Sequence, residues 1–211
     1  MPRISEEESN ARRTEIIDAC EKLYQSESYH AITMTQIAGN VSFGRANIYN
    51  YFQSKDEVLL ALLQREHQLW TKDLRTLRTL IKEKGLSLDE VARRLAKNLE
   101  ARTQMLKLMA MNLYDMEQNS RIEKLIEFKR SYGESVDALS DLIKTVKGEW
   151  SKQQIHDFLF AFMPFMNGIY PYVYHSEKQL EAMRAAGVAH EEFSIYSITY
   201  PLVKRLLEDK E

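Results

Sequence analysis

Residues 33–52, Thr33-Met-Thr-Gln-Ile-Ala-Gly-Asn-Val-Ser-Phe-Gly-Arg-Ala-Asn-Ile-Tyr-Asn-Tyr-Phe52, gather side chains suited to reading a nucleic acid. An arginine fork, as at Arg45, pairs bidentately with guanine, and an asparagine amide, as at Asn47 or Asn50, pairs with adenine. A tyrosine hydroxyl such as that of Tyr49 suits a phosphate oxygen. The chemistry on offer is recognition by hydrogen bonding, with no bond made or broken. Such groups work only if something holds them outward. Ile37 and Ala38 fall on the inner face of one short helix, and Ile48 and Phe52 on the inner face of the next. A four-residue turn joins the two. Helices this short are unstable alone, so a small shared core must hold them, which is helix-turn-helix spacing.

The surrounding elements follow from apolar periodicity and caps. Ser5-Glu-Glu-Glu8 reads as a capping box with acids in the first turn. It opens a helix to about Gln25 with Ile16, Ala19, Cys20, Leu23 and Tyr24 on its apolar stripe. The two short helices are expected over about Thr35–Asn40 and Gly44–Asn50. Ser54-Lys-Asp-Glu57, a second box, opens a long helix to about Lys84, which Gly85 ends. Further helices are expected over about Ser87–Glu100, Thr103–Glu117, Asn119 or Ser120 to Lys147, Ser151–His175, Glu177–Ala186 and Glu191–Glu208. No strand-like alternation appears, and Gly and Pro, at 7 and 4, are too scarce for an all-β fold. The fold class is all-α, with about ten helices.

Composition excludes several classes. A net charge of −2 is not that of a polybasic nucleic-acid coat. Cys20 is the only cysteine, so an intrachain disulfide or a cysteine-based zinc site is impossible, and a reduced, cytoplasmic setting fits. Acidic residues at Glu6–Glu8 stand where a signal peptide carries basic and then apolar ones. The longest nearly apolar run, Phe158–Tyr174, is shorter than the ~20 residues that span a bilayer, and Pro164, Asn167, Gly168 and Pro171 interrupt it. It reads as a buried helix, and no membrane partner is expected. Catalysis finds no support: His-Glu-x-x-His, P-loop, dinucleotide and Gly-x-Ser-x-Gly motifs are all missing. A di-iron site needs paired Glu-x-x-His motifs, and Glu27-Ser-Tyr-His30 stands alone. No metal or cofactor is expected.

Thr35-x-Ile37-Ala38 followed by Ile48-Tyr49-x-Tyr51-Phe52-x-x-Lys55-x-Glu57-x-Leu59 resembles the N-terminal domain of TetR-type (TetR/AcrR) transcriptional regulators. The family turn usually reads Ala-Gly-Val-Ser; here Val41-Ser42-Phe43-Gly44 puts Ser42 at the turn glycine and Gly44 at the cap. The resemblance implies a three-helix helix-turn-helix DNA-binding domain over 5–55, with its motif at about 33–52. A C-terminal helical bundle over 56–211 would bind an effector and dimerise. It further implies a homodimeric, ligand-responsive repressor on a palindromic, double-stranded operator. By residue match, Thr35 opens helix 2 and touches phosphate. Arg45, Ala46, Asn47, Tyr49 and Asn50 lie on the recognition helix, and Tyr51 and Lys55 contact the backbone. Residues 1–56 carry six basic and eight acidic side chains, so non-specific DNA affinity is expected to be modest. The alternative is a helical adaptor or small-molecule-binding bundle that binds no DNA.

Two further expectations concern the C-terminal part. A mostly apolar effector is expected among Met105, Met109, Phe162 and Met166, with His67, Asn112 and Tyr170 as orienting polar groups, because methionine adapts to varied apolar ligands. Ordinary core packing is the alternative, and for His67 a satisfied core histidine is the more common case. The last helix carries two apolar stripes, Phe193, Tyr196, Tyr200, Val203, Leu207 and Ile195, Ile198, Leu202, Leu206. A helix with two apolar faces needs two neighbours, one of them a twofold mate.

Overall fold

A computed structural model describes residues 5–208. The expected limit at residue 211, and Arg3 in the charge count, lie outside the described residues. Helices are their only regular elements, with no strand among the described residues. They form α1 (Glu6–Ser26), α2 (Met34–Ala38), a 3-10 helix (Arg45–Asn50), α3 (Lys55–Lys84), α4 (Leu88–Glu100), α5 (Thr103–Gln118), α6 (Ile122–Val146), α7 (Lys152–Gly168), α8 (Tyr170–Val173), α9 (Glu177–Ala185) and α10 (Ile195–Leu207).

Local chemistry sets the ends. The Ser5 hydroxyl accepts from the Glu8 amide, but the Glu8 carboxylate turns to Arg12, so the box at α1 is half made. At α3 the Ser54 hydroxyl accepts from the Glu57 amide, while the Glu57 carboxylate accepts from Gln53 instead of Ser54. Gly85, at φ 60, ends α3 in the left-handed region that only glycine enters cheaply.

Two expected helices differ in extent. The helix expected to reach His175 stops at Gly168, and Tyr170–Val173 forms a separate turn. The break falls at Ile169, two residues before Pro171, which sits in the first turn of the new segment where its missing N–H costs nothing; Pro164, by contrast, is carried inside α7. The last helix starts at Ile195, not near Glu191, because Ser194 and Ser197 cap it reciprocally.

The chain divides into two compact units. The first runs up to Arg65 and takes in Asn112–Ser131; the second comprises Glu66–Met111 and the chain from Tyr132 onward. In the first, Ile16, Cys20 and Tyr24 of α1 are buried, as are Ile37, Ile48, Phe52 and Leu59. Burial pushes the Cys20 thiol up to about 12, so it is an inert core residue. In the second, Trp70, Leu74, Leu95, Leu99, Leu139, Leu142, Phe158 and Phe162 are buried, and α10 packs along α4. Of the two stripes expected on α10, Val203 and Leu207 from the first and Ile195 from the second are buried, together with Thr199, which belongs to neither. Ile198, Leu202 and Leu206 stay half-buried.

Candidate nucleic-acid interface

The reading segment is held from three sides within the first unit. Thr33 caps α2 in a reciprocal box with Gln36. Thr33 rather than Thr35 therefore opens that helix, and Thr35 stands exposed in its first turn. The turn to the next helix is tied to α1: both the amide and the hydroxyl of Ser42 donate to the Glu15 carboxylate, the hydroxyl at 3.0 Å. No non-glycine residue among those described has positive φ. The turn thus has no left-handed position, which is why serine serves where the family has glycine. Arg12 and Arg13 of α1 lie over the rings of Phe43 and Phe52 at 5.3 and 5.6 Å.

Residues 45–50 form a 3-10 helix, not the α-helix that the spacing suggested as the second reading element. Gly44 supplies no side-chain cap, and such a short piece has no strong drive to α geometry. At three residues per turn, Ala46 aligns with Tyr49 and Asn47 with Asn50. Ile48 is buried while Arg45, Ala46, Asn47, Tyr49 and Asn50 are exposed. Arg45 makes no hydrogen bond or ion pair among the described residues. Asn47 and Asn50, the adenine-type readers, thus form one exposed row and Ala46 and Tyr49 the next, while Arg45, the guanine-type reader, is exposed at the head of the row that buries Ile48.

The backbone-contact candidates are more constrained. Tyr51 is half-buried. The Lys55 ammonium donates to the Tyr29 carbonyl at 2.7 Å and sits 4.3 Å from the centre of the Tyr29 ring. Lysine has three donors, so two remain for a phosphate. The Tyr29 hydroxyl donates to Asp56, and burial together with that carboxylate raises its pKa. Next to them, Glu57 is 1% exposed and accepts from Arg121 Nε at 2.6 Å, Arg121 Nη2 at 2.8 Å and the Arg121 amide at 3.2 Å. Burial pushes the Glu57 carboxyl up, but the hydrogen bonds from Arg121 and from the Gln53 and Arg121 amides outweigh it and hold the pKa below its ordinary value.

Part of the acidic excess of this region is paired internally. Glu8 pairs with Arg12, Asp18 and Glu21 with Arg65, and Glu57 with Arg121. Sequence reasoning missed Glu15, Tyr29 and Arg121, which hold the segment. Their partners lie 27, 26–27 and 64 residues away, and periodicity carries no signal for such pairs.

The seven effector candidates are dispersed. Asn112 belongs to the first unit and accepts from the Tyr24 hydroxyl at 2.9 Å. His67 is buried in the second unit, its Nδ1 3.0 Å from Ser135 Oγ and its ring edge-on to Tyr132 and Trp70. Met105, Met109, Phe162 and Met166 are buried, and Tyr170 is half-buried with its ring stacked on Tyr174. An apolar cleft of about 550 Å³ opens elsewhere on α6 and α7, lined by Tyr132, Val136, Leu159, Phe160, Met163 and Pro164, with His156 and Asn167. None of the seven lines it. Among the described residues no helix is long and apolar enough to cross a membrane, and no group of three His, Cys, Asp or Glu is placed to hold a metal ion.

Comparison with known proteins bears on this geometry. Residues 16–62 match the family described as bacterial regulatory proteins, tetR family, and residues 64–195 match the tetracyclin repressor-like C-terminal domain. The chain is 36% identical over 63 residues to the HTH-type transcriptional regulator HbdR of Aromatoleum sp. (strain CIB), covering 30% of this chain and 26% of that protein. It is 27% identical over 66 residues to the HTH-type transcriptional repressor Rv1474c of Mycobacterium tuberculosis (strain ATCC 25618 / H37Rv), covering 31% and 35%. The matches thus span about a quarter to a third of these curated relatives. A TetR/AcrR family regulator from Thermobifida fusca YX-ER1 superimposes with a TM-score of 0.59 at 19% identity, covering 94% of this chain and 97% of that one.

Proposed function

The chain belongs to the TetR family of DNA-binding transcriptional regulators, and on that premise we propose that it is a ligand-responsive repressor acting as a homodimer on an inverted-repeat operator. One observation carries the reading: Arg45, Asn47, Tyr49 and Asn50 are all exposed beside a buried Ile48 and Phe52. In this reading each 3-10 helix lies in a major groove, and Thr35, Tyr51 and Lys55 bind the flanking phosphates. The repressor sign follows the name of the Mycobacterium tuberculosis relative.

Homodimerisation draws support from apolar surface. Phe160 is 69% exposed on α7, beside exposed Ala161 and Pro164. On α10, Ile198, Leu202 and Leu206 are incompletely covered. Two such helices and their symmetry mates suit a four-helix interface, and we assign the α6–α7 cleft to that contact. The effector is assigned to the second unit, where it would have to open a space among the buried Met105, Met109, Phe162 and Met166, with His67 and Tyr170 as polar groups to orient it. The proposed ligand is mostly apolar. It releases DNA only through higher affinity for the non-binding dimer, and a tenfold loss of operator affinity needs about 1.4 kcal/mol of coupling.

Selection of bound duplexes from a random pool tests the core of this reading. The expected product is an inverted repeat with a fixed half-site spacing. Recovery of single half-sites, or a monomeric mass by light scattering at micromolar concentration, overturns the dimer.

A further inference from the structure

The most unusual contact in the first unit lies outside the helix-turn-helix. Arg121, the residue before α6, inserts a fork onto Glu57 in the first turn of α3, 64 positions away. Its Nη2 also reaches the Tyr51 carbonyl at 3.4 Å. Its own backbone amide donates to Glu57. Two positions earlier, the Asn119 carbonyl accepts from the Ser54 hydroxyl at 3.3 Å. The other Glu57 oxygen accepts from the Gln53 amide at 2.7 Å. Residues 51, 53, 54 and 57 are thereby fixed from one side, and this is the stretch that carries Tyr51 and Lys55.

Capping alone does not account for this arrangement. Glutamine closes a capping box as well as glutamate does. A carboxylate at 1% exposure carries a desolvation cost that its partner offsets only with good geometry, and such pairs often give little net stability over apolar replacements. What the planar fork does supply is direction. It fixes where the 51–55 backbone points relative to the α5–α6 turn.

We infer that Arg121, acting through Glu57 and the Tyr51 carbonyl, is a positioning residue for the DNA-backbone contacts of Tyr51 and Lys55. The inference rests on the DNA-contact assignment proposed above. Arg121 itself touches no phosphate in this account. Its occupied fork is spent on Glu57 and Tyr51, and the α5–α6 turn sets the aim of the backbone-binding stretch.

The test uses the full-length protein and a duplex selected from a random pool by the wild type. Affinity is read by fluorescence anisotropy across a salt series, with thermal unfolding followed in parallel. Glu57→Gln and Arg121→Gln are each expected to weaken binding about tenfold, the scale of one charge-assisted hydrogen bond, and to lower the salt slope by about one. In a Tyr51→Phe/Lys55→Ala background the same substitutions are expected to change affinity by less than about twofold, because the groups they aim are gone. Arg121→Lys keeps the charge without the fork. It is expected to show part of the loss, and it serves where Arg121→Gln does not fold.

A direct phosphate contact by Arg121 predicts the opposite sign at Glu57: freeing the guanidinium by Glu57→Gln would leave binding unchanged or tighter, and that result overturns the inference. So does a full tenfold loss persisting in the Tyr51→Phe/Lys55→Ala background. If the wild type selects no duplex, the DNA-contact reading falls and takes the inference with it. If the wild type binds and the folded Glu57 and Arg121 variants stay within about twofold of it, the inference alone falls.

Discussion

Two aromatic-rich helical stretches of this chain use their residues in opposite ways. In residues 45–52 the inward positions are Ile48 and Phe52, and the outward ones are Arg45, Asn47, Tyr49 and Asn50. In α7 the inward positions are Phe158, Phe162 and Met166, and the outward ones include Phe160 and Pro164. The first outward face carries a donor and acceptor pattern, so its residue types alone name a class of partner. The second, around Phe160, Ala161 and Pro164, presents mainly apolar area, which says that something covers it but not what. Polar groups encode identity because a mismatched partner leaves them unsatisfied, whereas apolar surface accepts any apolar neighbour.

The sharpest way to break the comparison is to truncate one phenylalanine in each stretch. Phe52 is fully buried in the small core of the reading head. Phe52→Ala is expected to cost about 3–5 kcal/mol and to abolish DNA selection. Phe160→Ser removes a ring that is 69% exposed in the single chain. It is expected to leave monomer stability within about 0.5 kcal/mol while shifting the mass by light scattering toward the monomer. Urea unfolding at low protein concentration separates the two terms. Similar losses at both positions would mean that Phe160 belongs to the core of the chain itself.

Next in size is the outward polar face. Arg45→Ala is expected to cost about 1–3 kcal/mol of operator binding and to relax preference at one base pair. Lys55→Ala is expected to weaken all sequences about equally. Repeating the random-pool selection with each variant reads both outcomes. A uniform loss with Arg45→Ala would demote Arg45 to a phosphate contact.

Much of the architecture was legible because caps and periodicity are local. Ser87 and Gly85 bracketed the turn between α3 and α4 correctly, and the α3 C-terminus fell at Lys84 as expected. The reading segment was legible because exposure and burial alternate there with side-chain chemistry. Its 3-10 geometry was not, since a six-residue helix lacks the length over which 3.6- and 3.0-residue periods diverge. The residues that aim it were not legible either. Glu15–Ser42 and Arg121–Glu57 are pairs made by the fold, between positions that look like ordinary polar surface residues in sequence. The effector candidates illustrate the same limit: a methionine and phenylalanine stripe at helical spacing describes a core and a pocket lining equally well.

The Glu57–Arg121 pair makes the head sensitive to acid in a defined direction. The Glu57 pKa is lower in the folded chain than its ordinary value of 4.5. Its contribution to stability is therefore fully present above the unfolded value and is lost as pH falls through the folded one. Urea midpoints of the wild type are expected to drop across that acid range more steeply than those of Glu57→Gln. Parallel curves would mean that other carboxylates govern acid unfolding.

The smallest expected effect concerns the turn itself. Ser42 stands at the turn glycine of the motif this segment resembles, yet the structure has no left-handed residue there to need one. Its hydroxyl bond to Glu15 is exposed and accompanies a second bond from the Ser42 amide. Ser42→Ala removes only the first, and a loss of about 0.5–1 kcal/mol follows from the modest net worth of a solvent-exposed hydrogen bond. Glu15→Ala removes both, so it is expected to cost more and to loosen the turn against α1. Ser42→Gly loses the hydroxyl and also restores backbone freedom to the unfolded chain, so it should fall below Ser42→Ala by about 0.4–1 kcal/mol. Urea midpoints ranked wild type, Ser42→Ala, Ser42→Gly are the expected result. A Ser42→Gly variant more stable than Ser42→Ala would show that the turn relaxes into a left-handed conformation once glycine permits it. The serine would then hold the reading head in a geometry that glycine does not choose.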